Sequence, residues 1–560
     1  MRQEQPLDER ELTVDVVVVG SGASGLSAAV RARALGLDPL VIDIADRFGG
    51  TVPLSSGALW IPDNPVMRAA GVDDSTEAGL RYLEECVGDE GPVTSSARKA
   101  AFIREGPRLV EFLLEHGVEF QYSDPYPDYF PELPGGHERG RIILPRPFDL
   151  RRLGSWRGQV ATVPGFKMKL LVNSVREVMD LPFAGVAPQG RRALASVLSR
   201  TLWGKALGRD EVSLGQALVA HVLLVAQRLG VRFAPRTALR ELLVENGEVV
   251  GVTVRADGRT RTVRTRRGVV LAAGGFARND EMRKRYHPQP SSARWTTVGP
   301  HDAGDGIRAA LDVGAATALM DEAIWSPVSV LPDGSVAGTV WERETPYCLM
   351  VNGDGDRFCN ESANYMEIGQ KMYEQDGADW WLIMDSRHRR RYPYGDALPG
   401  RTPKEWLRSG YLRRADTLEE LAGLCGLPPE RLRATVERFN KLADAGVDED
   451  FGRARSAYDR AGGDQGHRPD PNLGAVREGP FYAVQQFPGD TGTAGGLLTD
   501  EHARVVGEDG TAIGGLYAAG STAARMTGRV YPGGGASLAT AMVFGFIAAG
   551  HAADRVPAER

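Results

Sequence analysis

The chain of 560 residues is predicted to be an α/β protein. Its first domain, built on a parallel sheet, is left and later re-entered, and an α+β domain is inserted between the halves. Three glycine-marked segments predict this: Gly20-Ser-Gly-Ala-Ser-Gly25, Ala272-Ala-Gly-Gly-Phe276 and Tyr517-Ala-Ala-Gly520. Each ends an apolar run of strand length. All three make sense as parts of one binding site.

The first element is the apolar strand Val14 to Val19, followed by the glycine turn and a helical stretch from Leu26 to Leu35. A strand, a tight turn and a helix amino-terminus form an anion site, because unpaired backbone N–H groups and the helix dipole converge on a pyrophosphate. Gly20, Gly22, Ala23, Ser24 and Gly25 are the candidates for that contact. The next strand, Pro39 to Ile42, ends at Asp43, close to where a Rossmann-like unit places the carboxylate that accepts ribose hydroxyls, roughly 20 residues on. The loop Arg47 to Gly57 follows. Its glycines let the backbone approach a flat ring, and Gly50, Thr51, Ser56 and Gly57 are its candidate contacts.

Residues 65 to 118 read as amphipathic helices, for example Ala101 to His116. The stretch Tyr122 to Pro147 is too rich in Pro and Gly for regular structure. Residues 151 to 209 mix basic and apolar side chains. They fit either an amphipathic surface helix on lipid or a helical cap packed on the body, and the cap is the favoured reading. A helix from Ser213 to Leu229 returns the chain to the sheet through Val231 to Phe233. Gly251 to Val254 and then Gly268 to Gly275 read as a meander feeding a buried strand, with Ala273 and Gly274 as candidate contacts at its end.

Residues 291 to 479 carry no nucleotide signal and are assigned to the second, catalytic domain. Within it, Arg387 to Arg391 reads as a solvated loop, and Thr417 to Leu442 as two helices across Leu427-Pro-Pro429. From about Phe481 the chain resumes the first domain, assigned to residues 1–290 and 480–560. Gly520 ends its last strand, and Ser537 and Leu538 begin a final helix that runs to Ala549. NAD enzymes usually complete their nucleotide domain in one stretch. A split domain with a late strand ending in Ala-Ala-Gly is typical of large flavoproteins, so the expected cofactor is FAD.

Composition narrows the rest. The net charge of -6 argues against a nucleic-acid binder. The polar, acidic start lacks the order of a signal peptide. No uncharged run is read as long enough to cross a membrane. Four cysteines without CxxC spacing suggest neither zinc nor disulfides, and the expected home is the cytoplasm.

Three tyrosines stand out: Tyr129 in Pro127-Asp-Tyr-Phe-Pro-Glu132, Tyr365 in Asn360-Glu-Ser-Ala-Asn-Tyr365, and Tyr531 in Tyr531-Pro-Gly-Gly-Gly535. A hydroxyl at Tyr531 with a nearby glycine N–H would make a two-donor hole for a carbonyl oxygen. With these motifs the chain resembles the fumarate reductase/succinate dehydrogenase flavoprotein superfamily and, within it, the 3-ketosteroid Δ1-dehydrogenases. The resemblance implies non-covalent FAD, a steroid substrate and a quinone or dye-like electron acceptor. It implies that Tyr531 and the Gly535 N–H hold the C3 ketone oxygen, and that Tyr365 takes a proton from C2 while hydride leaves C1 for the flavin. Tyr129 would lower the pKa of Tyr365 or relay its proton, with Tyr126 the alternative helper. One departure is Gly534, where family members often read proline; the loop is expected to be more flexible.

Among rivals, fumarate chemistry needs arginines to clamp two carboxylates. This chain offers Arg529, two residues before Tyr531. A ketosteroid enzyme acting at C4–C5 is the other enzyme reading. A flavin-bearing sensor without turnover would have no need for the tyrosines.

Overall fold

The computed structural model describes residues 11–123, 125–162 and 170–555. The expectations for residues 1–10 and 163–169 lie outside them. The first domain has a sheet whose parallel strands run, from one edge, Arg232–Ala234, Pro39–Ile42, Glu11–Val19, Arg259–Leu271 and Ala512–Ala518. The long strand Arg259–Leu271 pairs with Glu11–Val19 along one edge and serves two partners on the other. Its first half pairs antiparallel with Glu248–Ala256 in the meander, and its last three residues pair with Leu516 to Ala518. The carboxyl ends of the central strands are thereby level: Gly20 N–H donates to Ile42 O, Ala272 N–H to Val19 O, and Ala519 N–H to Leu271 O, at 2.8–3.0 Å. Ligands of open α/β sheets bind at that edge.

Small residues draw the helices onto the sheet. A Cβ on Gly25 would lie 1.9 Å from Gly20 O, and one on Gly545 would lie 2.2 Å from Ser24 O. The final helix, Ala536–Asp554, therefore packs directly on the first, Ala23–Ala34, and Ser27 Oγ donates to Met542 O at 2.7 Å. This helix corrects one expectation from the sequence. It is long and apolar enough to cross a membrane, yet most of it is buried in the core.

The second domain is an antiparallel sheet of Val336–Gly338, Ala323–Val330, Phe481–Thr493, Trp380–Met384 and Cys348–Asn352, with Leu412–Ala415 beside the third. Because Phe481–Thr493 pairs on both sides within this sheet, the chain re-enters the first domain after Thr493 rather than near residue 480. Two helices, Leu418–Cys425 and Pro429–Ala445, flank it as expected. The segment at Arg387 is not a solvated loop. It is the helix Ser386–Arg391, capped by Asp385, with His388 and Arg389 buried.

Residues 175–206 form short helices ending in Pro188–Ala206. This last helix buries Ala193, Val197 and Thr201 on the body but leaves Leu202 and Trp203 64% and 68% exposed. It is a helical cap packed on the body, with an apolar edge left outside.

Candidate active site

A cavity of about 1310 Å³ runs along the carboxyl ends of the strands and on between the two domains. One end is lined by Gly20, Gly22, Ala23, Ser24, Asp43, Gly50, Thr51, Ala273 and Gly274. Gly520, Ser537, Leu538 and Ser56 line it as well. Gly25 and Gly57 do not line it. Gly25 closes the strand-to-helix packing, and Gly57 (φ +67°) lies against the Leu214 backbone, where a Cβ would come within 2.7 Å.

The donor set fits a dinucleotide. The helices starting at Ala23 and Ala536 both open on the cavity with no side-chain cap and no acidic residue in the first turn, so their free N–H groups and dipoles face it. Gly22 meets no protein atom within 4 Å of a Cβ, because that space is the cavity. Asp43 is held in place by Ser21 N–H at 2.8 Å, Ser21 O–H at 2.5 Å and Ala45 N–H at 2.8 Å.

Two buried polar groups, Asp302 on this wall and Thr493 behind Gly275, were missed by sequence reasoning. Asp302 Oδ1 and Thr493 Oγ1 have no hydrogen-bond partner among the described residues, and burial with the nearby Asp490 pushes the Asp302 carboxyl up to about 7. Asp302 belongs to the His301-Asp-Ala-Gly304 turn, beside the Gly304-Asp-Gly306 motif, which was the available signal.

The other end of the cavity is lined by Tyr126, Tyr129, Tyr365, Tyr531, Gly534 and Gly535. Tyr129 is central: its ring centroid lies 6.0 Å from Tyr365 and 5.5 Å from Tyr531, and those two are 5.4 Å apart. Tyr126 touches Tyr129 but sits one ring further out, against Tyr458. Tyr458, 4.5 Å from Tyr129, was missed, since no local pattern marks it.

Each phenol is fixed by a different device. Tyr129 N–H donates to Pro532 O at 3.0 Å. Its neighbour Asp128 is buried and accepts from Trp60 Nε1 at 2.8 Å and Arg141 at 2.5 Å, while Arg141 also grips Asp74. Tyr365 opens the helix Tyr365–Tyr373, and Asn364 caps that helix by accepting from Glu367 N–H. The preceding turn is pinned by Glu361, which pairs with Arg357 at 2.7 Å and Arg453 at 3.1 Å. Tyr531 O–H meets Ser537 Oγ at 3.0 Å. Gly535 has φ +92°, and a Cβ there would strike Ala58 O at 2.5 Å, so only glycine seats this N–H at the helix start. Gly534 also faces inward. A side chain there would press on Ile142 and Tyr126 at 3.1 Å.

Burial and the neighbouring phenols raise Tyr365 and Tyr129 well above the ordinary tyrosine range. Among the described residues that line the cavity, no buried arginine is free to clamp a carboxylate. Arg529 is spent on Asp321 and Glu322, Arg278 on the Val298 and Ala293 carbonyls, and Arg47 and Arg294 are exposed.

The FAD binding domain family matches residues 15–538. A 3-oxosteroid 1-dehydrogenase of Mycobacterium tuberculosis is 41% identical, covering 97% of this chain and 98% of its own. The 3-oxosteroid 1-dehydrogenase of Mycolicibacterium smegmatis is 39% identical, covering 96% of both. The 3-ketosteroid delta1-dehydrogenase of Sterolibacterium denitrificans, solved with 1,4-androstadiene-3,17-dione, aligns with a TM-score of 0.90 at 36% identity, over 97% of this chain and 99% of that one. The wall of glycines, the split domain and these likenesses agree: the chain belongs to the FAD-binding flavoprotein family of the 3-oxosteroid 1-dehydrogenases.

Proposed function

We propose that the protein carries out the FAD-dependent 1,2-dehydrogenation of a 3-ketosteroid. One observation carries the reading: phenols from three separate chain segments and the Gly535 amide converge at one end of the cavity, and the unpaired arginine nearby, Arg525, lies outside the cavity lining. Such a site suits a neutral ketone. Tyr531 O–H and the Gly535 N–H hold the ketone oxygen, and withdrawing charge onto that oxygen acidifies C2. Ser537 orients the Tyr531 hydroxyl. Tyr365 takes the C2 proton. Its place at the first residue of a helix favours the phenolate, and Tyr129 shares or relays the proton. When bound, the flavin supplies the two-electron acceptor for the hydride leaving C1.

Pyrophosphate contacts are assigned to Gly20, Gly22, Ala23 and Ser24, the ribose to Asp43, and the ring wall to Gly50, Thr51, Ser56, Ala273, Gly274, Gly520, Ser537 and Leu538. Electrons leave to a quinone or dye-like acceptor. Leu202, Trp203 and Leu207, at the end of a helix that also carries Arg191, Arg192 and Lys205, suit peripheral contact with an anionic membrane surface, where a quinone would be met.

The test is anaerobic mixing of the purified yellow protein with androst-4-ene-3,17-dione. Bleaching of the flavin with formation of the 1,4-diene is expected. Bleaching by succinate only, or by neither, overturns the reading.

A further inference from the structure

The tyrosine cluster poses an electrostatic problem. A buried phenol among phenols resists ionisation, yet the proposed base must become a phenolate. Among the described residues, the groups around it include an unspent cation. Arg525 is buried, and none of its three guanidinium nitrogens has a hydrogen-bond partner among the described residues. Its guanidinium carbon sits 4.9 Å from the centre of the Tyr531 ring. A buried guanidinium without partners is costly, so its position calls for a counter-charge.

We infer that Arg525 is a positioning residue for the reaction: its unpaired guanidinium, stacked on Tyr531, supplies the positive charge that lets the Tyr365–Tyr531 pair carry a negative one. The inference rests on the ketone-dehydrogenation reading. Arg525 does not line the large cavity, so it acts through Tyr531 and not by touching the substrate. It borders instead a pocket of about 30 Å³ with Ser521, Ser537 and Thr540, room for about one water. That space adjoins Ser537, whose hydroxyl meets Tyr531.

The other charges nearby are already committed. Glu322 is engaged by Arg529 at 3.0 Å, Gln370 at 3.3 Å and the Ala323 N–H at 3.1 Å. Arg98, across the small pocket, donates to Thr499 and to the Ala524 carbonyl at 3.0 Å, and to the Val93 carbonyl. Tyr129, Tyr126 and Tyr458 lie beyond Tyr365 and Tyr531 and carry no charge at neutral pH. Burial weakens the hold of Arg525 on its own proton, while Tyr531, Tyr365 and Glu322 strengthen it. Ionising a phenol beside it therefore stabilises both groups.

The test compares wild type with Arg525→Gln and Arg525→Lys at matched flavin content. An opposite charge at this range moves a pKa by about 1–3 units. In Arg525→Gln the rise of kcat with pH should shift upward by about one unit or more, lowering kcat at neutral pH about tenfold or more while KM changes little. Arg525→Lys should restore most of both. A second arm needs no steroid: the near-ultraviolet tyrosinate band of the holoprotein should begin at higher pH in Arg525→Gln. This arm stands even if wild type fails to bleach with ketone, so failure of the functional reading stays distinct. An unmoved pH profile and an unmoved tyrosinate onset in Arg525→Gln would overturn the inference.

Discussion

The rings of Tyr365 and Tyr531 lie 5.4 Å apart, inclined at 55°, although one opens a helix of the second domain and the other sits on the loop before the last helix of the first. The proposed base and the proposed ketone anchor are thus brought together by the domain interface. Tyr365→Phe removes one hydroxyl from this pair and leaves the packing intact. Turnover with steroid should fall by about 100-fold or more, with flavin content unchanged. A rate near that of wild type would remove Tyr365 from the mechanism.

Gly22 opens onto the cavity, so any side chain there projects into the space assigned to the pyrophosphate. Gly22→Val should yield folded, colourless protein. The measurement is the ratio of flavin absorbance to protein after purification, and a yellow product would refute the phosphate contact.

Asp128 ties the Tyr129 loop to Arg141 and Trp60 in a buried setting. Asp128→Ala leaves Arg141 with Asp74 and the Gly135 carbonyl, and the Trp60 N–H without its acceptor. A loss of about 3 kcal/mol is expected, within the usual range for a broken buried pair. Chemical denaturation should show it, and kcat should fall as Tyr129 loosens from Tyr365.

Asp302 gives a pH signature of definite sign. Its carboxyl is pushed up to about 7 by burial and Asp490, from an ordinary value of 3.8. The folded form therefore holds a proton that the unfolded form releases, and the stability this contributes is lost as pH rises from 3.8 through about 7. His221 and His287, both pushed down to about 4 by burial, act with opposite sign, losing stability as pH falls below 6.5. Their windows overlap, so the informative quantity is the difference between wild type and Asp302→Asn. The thermal midpoint of the variant should gain on that of wild type as pH rises toward about 7. A constant difference across that range would count against the shift.

The apolar edge at Leu202 and Trp203 should matter only to surface binding. Wild-type protein should sediment with vesicles containing anionic lipid, and Leu202→Glu with Trp203→Glu should not, while dye-linked activity stays the same. Equal sedimentation of both proteins would leave the edge without that role.

Much of the site was legible because its logic is local. Gly20 to Gly25, Asp43, Ala272 to Gly274 and Gly520 each sit where a strand stops, and a strand followed by small residues shows itself in consecutive letters. Tyr129, Tyr365 and Tyr531 were legible through the motifs around them. What stayed hidden depends on packing between distant segments. Tyr458 reaches Tyr129 because the second domain folds over the first, and Asp128 meets Arg141 through a loop whose course no periodicity reveals. The strand Phe481–Thr493 looked like the start of the return, since an apolar run does not say which sheet will accept it.

By itself, then, the chain's order of residues determined where the strands stop at glycine turns and most of the glycines that line the cavity there, though not that Gly25 and Gly57 stay out of it, because backbone approach at a turn is set by residues within a few positions. Only the tertiary structure decided which phenols face one another, which arginines are spent on carboxylates and which one is left over at Tyr531. Those outcomes follow from burial and from distances between segments hundreds of residues apart. The charge state of a tyrosine cannot be read until its neighbours in space are known.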